Sequence, residues 1–375
     1  MSKRHLGLAA GAAALSLLLA ACGSSGGGDT TSSAAPSDTA SSAAPQGTVG
    51  VILPDAASSA RWETADRPFL QEAFDAAGVE ADIQNANGDK AKWSTLCDQF
   101  ISAGVSVLLI VNLDSETGAA CASKAVAQGI SVIDYDRLTL GGGSSYYVSF
   151  DNVAVGTKIG EGLVKCMQDG GNASGNVVLL NGSPTDNNAT LFKQGYEKVI
   201  KDAGYTVTED QAVPDWDNTK AGTIFEQIYT KTNGDFVGVA AANDGLGGAA
   251  IAVLDKNGLA GKIPVTGQDA TDEGLQRVLL GTQCMTVYKA IKAEAEAASA
   301  LAIALIKGDT AAADALATGA TADSVTGKDV PSVLLVPVGI TAETVKDVVA
   351  DGFTSADKLC VTDELKAACE KYGVA

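Results

Sequence analysis

Two hydrophobic periods alternate along most of this chain. Short apolar or β-branched runs give way to longer segments with apolar residues three and four apart, the marks of strand and helix. The runs at 48–53, 81–84, 105–111, 130–134, 146–150, 177–180, 207–213, 236–241, 263–266 and 284–287 predict strands. Helices are predicted at 61–77, 90–103, 115–128, 153–167, in a segment ending near Ala203, and at 219–231, 247–256, 273–280 and 290–307. The run 105–111 is apolar throughout, as in a strand covered on both faces of a parallel sheet. Repeated strand–helix units imply right-handed crossovers and doubly wound parallel sheets. One sheet would not comfortably hold so many strands. The expected fold is therefore α/β, with two doubly wound parallel-sheet lobes. A break falls at Ser149-Phe150-Asp151-Asn152. The strand 284–287, and another at 333–338 after a polar insertion at 309–329, would cross between the lobes and complete a three-strand hinge. The first lobe is then 47–150 with 288–322, and the second 151–287 with 323–375.

The first 46 residues follow neither period. Lys3 and Arg4 precede an apolar run, 6–21, that ends in Leu19-Ala20-Ala21-Cys22. This order of charge, apolar run and small residues reads as an export signal. It resembles the bacterial lipobox, which implies a lipid on Cys22 and tethering to the outer face of the cell membrane. The run is shorter than the ~20 residues a membrane span needs. Residues 23–46 are Gly, Ser, Thr, Ala and Pro with little else, too poor in apolar surface to order, and are expected to form a flexible tether.

Charge and rare residues narrow the function. Loss of Lys3 and Arg4 with the signal takes the formal charge from −19 to −21. Such a chain is a poor partner for nucleic acid or an anionic membrane surface. The only histidine, His5, lies in the signal, so Ser-His-Asp and Cys-His mechanisms and His-ligated zinc are excluded. No metal site and no cofactor is expected. Beyond Cys22 there are six cysteines, an even number that suggests disulfides in an exported protein, with 15 possible pairings. Cys97 and Cys121 lie on consecutive predicted helices and Cys360 and Cys369 are near neighbours, so the expected pairs are these two and Cys166 with Cys284. Buried free thiols are the alternative.

Candidate chemistry collects just past the predicted strand ends. The stretch Asn181–Phe192, NGSPTDNNATLF, runs from a strand through a turn into a helix. Asp186, Asn187 and Asn188 have the side chains of helix caps, yet open α/β sheets bind ligands at this end of their strands. Arg61, Trp62, Asp136, Arg137, Trp216, Asn243, Asp269 and Lys289 occupy equivalent places, with Asp215, Asp244 and Gln268 beside them. Carboxylate, amide, guanidinium and ammonium groups together match sugar hydroxyls, which donate and accept at once. Two of the three tryptophans stand among them, and an indole can pack against the C–H face of a pyranose. Taken singly, each Asp or Arg reads as a surface ion pair and each Trp as core. Only their shared position argues for a site. Two enzymatic readings compete. Gly245-Leu246-Gly247-Gly248-Ala249-Ala250, with Asp269 further on, fits a dinucleotide fingerprint but falls late in its lobe. A glycosidase would need one of Asp136 and Asp269 protonated, and each has a cation nearby in sequence or site. A sugar-responsive repressor would need a basic DNA-binding segment where the signal and tether stand.

In this order the segments Ser59-Ala60-Arg61-Trp62, Gln84-Asn85-Ala86-Asn87-Gly88, Tyr135-Asp136-Arg137, Ser149-Phe150-Asp151-Asn152, Gly182–Ala189, Ala242-Asn243-Asp244-Gly245, Gly267-Gln268-Asp269-Ala270 and Gly281–Lys289 resemble the periplasmic sugar-binding proteins of bacterial ABC transporters. Those that bind D-xylose are most similar, with glucose/galactose-type multiple-sugar binders close behind. The resemblance implies a monomeric type I periplasmic binding protein, not an enzyme. It would close on one monosaccharide and present it to a permease, or to a signalling receptor. Arg61, Asp136, Arg137, Asn188, Asn243, Asp269 and Lys289 would hydrogen-bond the sugar, and Trp62 and Trp216 would stack on it. Cys284 and the loop 214–219 depart from the pattern. The second departure leaves the role of Trp216, and the choice between pentose and hexose, open.

Overall fold

The computed structural model describes residues 47–374. The signal, the tether and Cys22 lie outside the described residues. Among the described residues twelve strands form: β1 (Thr48–Leu53), β2 (Glu80–Asn85), β3 (Val107–Ile110), β4 (Ser131–Tyr135), β5 (Tyr146–Phe150), β6 (Asn176–Asn181), β7 (Thr206–Ala212), β8 (Gly238–Ala241), β9 (Thr286–Tyr288), β10 (Gly319–Asp323), β11 (Lys328–Leu335) and β12 (Val338–Ile340). The first sheet has the order β10-β11-β5-β4-β3-β1-β2 and is parallel except for the β10–β11 hairpin. In the second, β7-β6-β8 are parallel. Parallel bridges Val239–Val265 and Thr266–Met285 carry that sheet on to the antiparallel pair β9–β12. The predicted strand at 263–266 is present only as these bridges.

Each sheet is buried by helices on both faces, as its apolar runs require. Leu70 and Phe74 of the helix Arg67–Ala77, with Ala298 and Leu301 of Ile291–Ile306, cover one face of the first sheet. Trp93, Phe100 and Ala122, from the helices Lys90–Ala103 and Ser115–Ala127, cover the other. The third tryptophan is thus core, and its indole N–H donates to Val111 C=O at 2.9 Å. In the second lobe the helices Asn152–Asp169 and Asn187–Asp202 pack so closely that a Cβ on Gly156 would stand 2.0 Å from Phe192 C=O.

The chain passes between the sheets after β5, after β9 and after β11. The hairpin corrects the expected division: Ser332–Leu335 pair with β5 and Gly319–Asp323 pair with β11, so 323–335 belong with the first sheet and not with the second lobe. The polar insertion hid a helix, Thr310–Leu316, and this hairpin. Its turn is formed by Asp323, whose side chain accepts from Val325 and Thr326 N–H. Three disulfides join Cys97 to Cys121, Cys166 to Cys284 and Cys360 to Cys369, the pairing expected.

Candidate functional site

All nine residues picked out at strand ends come together in one cleft between the lobes. The cleft's first wall begins with a loop after β1. Asp55 folds that loop by accepting from the N–H groups of Ala57 and Ser58. The chain then enters a single π-helical turn, Trp62–Asp66, before the regular helix starts. Such turns are rare and are often found at functional sites. This one aims Arg61 and Trp62 inward, with the Arg61 guanidinium 4.3 Å from the Trp62 ring centroid.

Arg61 is buried and makes four hydrogen bonds to three carboxylates. Nε and Nη2 donate to Asp66 at 2.9 and 2.7 Å, Nη1 to Asp136 at 2.9 Å, and Nη2 also to Glu294 at 2.9 Å. Lys289, just past β9, donates to the same Asp136 oxygen at 3.0 Å. Burial alone would raise the Asp136 carboxyl. The charges of Lys289, Arg61 and Arg137 overcome it and hold the group well below the usual range. Asp269 has the opposite balance, with burial raising it against the pull of Lys289 and Arg61. Burial and the nearby Asp136 also push Glu294 well above its ordinary value, and its Oε1 has no hydrogen-bond partner. Glu294 and Asp66 were not anticipated. Glu294 sits on the apolar face of an Ala-rich helix, and that phase was the available signal.

Asp136 has a left-handed backbone, φ 61°, which a non-glycine residue adopts at a cost. Three donors fix it there by converging on its carbonyl: Tyr147 Oη at 2.9 Å, Ser149 Oγ at 2.8 Å and Asn188 Nδ2 at 2.8 Å. The last comes from the other lobe.

The second wall starts at Asn181–Phe192. Asp186 does cap the helix Asn187–Asp202, accepting from Asn188 N–H at 2.9 Å. It also does more. Its other oxygen pairs with Arg137 Nε across the cleft at 3.0 Å and accepts the Trp216 indole N–H at 3.0 Å. Asn188 is committed on both sides of its amide, since Asn152 donates to its Oδ1 at 3.0 Å. It therefore works here as a clasp between lobes. Asn243 caps the helix Asp244–Lys256 with its Oδ1.

Asp244 stands behind this wall and not in it. One carboxylate oxygen accepts from Gln283 Nε2 at 2.7 Å and Thr286 Oγ1 at 2.8 Å, the other from Thr271 N–H at 2.9 Å. Its carboxylate is so enclosed that a Cβ on Gly267 or Gly274 would stand 2.0 or 2.2 Å from it. These bonds tie the Asn243 turn to the turn that carries Asp269, φ 100°. The glycines of the dinucleotide-like stretch have packing reasons too: a Cβ on Gly247 would stand 2.8 Å from Thr266 C=O, and one on Gly245 2.4 Å from Asn218 Oδ1. Asp215 does not line this inner space and pairs with Lys220 at 2.7 Å.

The sequence profile of the periplasmic binding protein domain matches residues 49–310. The chain belongs to the periplasmic binding protein family. The D-xylose-binding periplasmic protein of Escherichia coli (strain K12) is 35% identical over 316 residues, covering 83% of this chain and 92% of that one. The multiple sugar-binding periplasmic receptor ChvE of Rhizobium radiobacter is 31% identical over 335 residues, covering 84% and 92%. Among solved structures, an ABC transporter solute-binding protein of Clostridium phytofermentans with bound β-D-glucose superposes with a TM-score of 0.75 at 27% identity, covering 83% of this chain and 99% of that one. Membership makes this binding protein a transport component and not an enzyme. The enzymatic alternatives fall with it, and an ionised Asp136 is in any case no general acid.

The cavity left inside the cleft is small, about 30 Å³. That is room for a water or two. The ion pairs Arg61–Asp136, Lys289–Asp136 and Arg137–Asp186 occupy the rest of the space.

Proposed function

We propose that this binding protein is the exported, lipid-anchored receptor of a sugar importer, with Cys22 as its anchor. It binds one monosaccharide between its lobes, D-xylose by preference, and delivers it as a monomer to an ABC permease. The observation that carries this reading is the composition of one buried cleft. Cations, carboxylates and amides from both lobes converge there around two indoles. This is a donor and acceptor set for a neutral polyol. Arg61, Asp136, Arg137, Asn188, Asn243, Asp269 and Lys289 would hydrogen-bond the sugar, and Trp62 and Trp216 would stack on it. Asn243 and Asp269 are the freest to do so: Asn243 uses its Oδ1 as a helix cap, which leaves the amide nitrogen for a ligand, and the ion pairs of Arg61, Arg137 and Lys289 run to other carboxylates than Asp269.

Closure follows from the layout. A ligand that touches both lobes only when they are together favours the closed form by the free energy of the added contacts. The lobes would be 47–150 with 291–335, and 152–288 with 338–374, hinged at the three crossings. The resemblance to D-xylose-binding relatives favours a pentose. A hexose is the second reading, supported by the glucose-bound structural neighbour.

A thermal-shift panel of pentoses and hexoses tests the reading, because a bound ligand raises apparent stability by mass action. D-Xylose is expected to give the largest shift. Calorimetry on Trp62→Ala and Asp269→Ala is expected to show lost binding in folded protein. Unchanged affinity in both variants would refute the site.

A further inference from the structure

A second chamber continues the cleft outward. Its volume is about 530 Å³ against about 30 Å³ for the inner one, and the two share Ser58, Arg137, Asp186 and Trp216. The inner chamber is walled by turns after β1, β4, β6, β7, β8 and β9. The outer one takes its walls from turns after β1, β2, β3 and β4 in one lobe and β6 and β7 in the other. Strands β2 and β7 are the free edges of their sheets, and the lobe crossings after β5, β9 and β11 lie away from those edges. The outer chamber is therefore the mouth of the same cleft, still bounded by both lobes.

Its lining repeats the chemistry of the inner site. Asp55, Asn87 and Lys90 face it from one lobe, and Asp215, Asn218 and Lys220 from the other. Carboxylate, amide and ammonium alternate, as suits hydroxyl groups and not a single charge. The turn between the chambers is strained. Asp215 and Trp216 are consecutive non-glycine residues with φ 61° and 54°. Such backbone persists only where its surroundings over-determine it, and it gathers at ligand clamps. This turn is also where the sequence departs from the sugar-binding pattern.

The partition is the Arg137–Asp186 ion pair, 3.0 Å across the lobes, since both residues line both chambers. A sugar ring cannot fit in the inner space while that pair is closed. Parting it would widen the inner chamber and open it to the outer one, since the two already share this pair. We propose that the outer chamber is a second sugar subsite. It takes the next ring of a short neutral oligosaccharide whose terminal ring occupies the inner site. The inference rests on the monosaccharide reading of the inner chamber.

Calorimetry of the whole chain with D-xylose and β-1,4-xylobiose, and in parallel with D-glucose and cellobiose, tests it. The disaccharide of the pair that binds is expected within about tenfold of its monosaccharide. Lys90→Ala with Lys220→Ala, both at exposed side chains, is expected to weaken the disaccharide about tenfold and leave the monosaccharide within about twofold. A monosaccharide that binds while its disaccharide is more than about a hundredfold weaker overturns the subsite and leaves the inner site standing. Disaccharide binding that ignores the two lysine changes overturns the placement of the second ring. Absence of binding by all four sugars overturns the monosaccharide reading, and the subsite with it.

Discussion

Gly182 is where a single hydrogen keeps the cleft in shape. A Cβ at this position would stand 2.1 Å from the Trp216 ring, which also meets Phe192 edge-on at 6.5 Å. The three nearest atoms all belong to that rigid indole, so the indole must move. Gly182→Ala is expected to swing Trp216 off Asp186, shift its fluorescence, and cost at least about tenfold in sugar affinity, some 1.4 kcal/mol. Gly222→Ala is the control. It sits inside the helix Asn218–Thr232 with nothing within 4 Å of the added carbon, so it should stabilise by up to about 1 kcal/mol with affinity unchanged. Equal effects of the two would remove the special status of Gly182. The nine cleft residues were legible because strand ends gather them whatever their individual odds. Their supports were not. Asp66 and Glu294 face Arg61 from helices, where sequence offers only a phase, and the second bond of Asp186 depends on lobe closure that no local pattern encodes.

Elements were legible where one period ran long enough. β1 and the helix Lys90–Ala103 match the expected bounds residue for residue. The π-helical turn was not, because a one-residue insertion leaves the apolar period almost unchanged. Three short helices near the C-terminus, Val345–Ala350, Ala356–Leu359 and Asp363–Tyr372, were also missed. They are held by tertiary burial of Val345, Val348, Leu359 and Leu365 against Leu275 and Val278 more than by propensity. Disulfides fasten such pieces unequally. Cys166–Cys284 closes 118 residues, Cys97–Cys121 closes 24 and Cys360–Cys369 only 9. On loop entropy these are worth about 5, 3.5 and 2.5 kcal/mol. Paired Cys→Ala variants are therefore expected to lose denaturation midpoint in that order, with the 166–284 pair losing most. A larger loss from removing the 360–369 pair would show that strain or packing outweighs chain entropy.

At the scale of the whole molecule, charge and burial point the same way with pH. The chain is strongly acidic, and protonation relieves its self-repulsion. Several carboxyls also bind protons more tightly when folded. Burial raises Asp134 to about 7 against the bonds from Thr139, and Asp244 to about 6 against Arg277 and Gln283. A carboxyl raised on folding contributes stability that is complete below its unfolded value, near 4, and is lost as pH climbs through the folded value. From these two groups alone, stability should decline between pH ~4 and ~7. Asp136 has the reverse sign: held low by Lys289 and Arg61, it contributes above its unfolded value and loses that contribution as pH falls further. The two trends place the most stable pH in the mildly acidic range. Melting temperature at pH 5.5 is expected to exceed that at pH 7.5 by a few degrees, at about 1–2 °C per kcal/mol for a chain of this size, and then to fall below pH 4. Asp134→Asn, which removes the titration and keeps an acceptor for Thr139, should flatten the slope between pH 5.5 and 7.5. A melting temperature that rises steadily from pH 5.5 to 7.5 would mean these carboxyls are ionised in the folded state at little cost, and that their hydrogen bonds and not their burial set the balance.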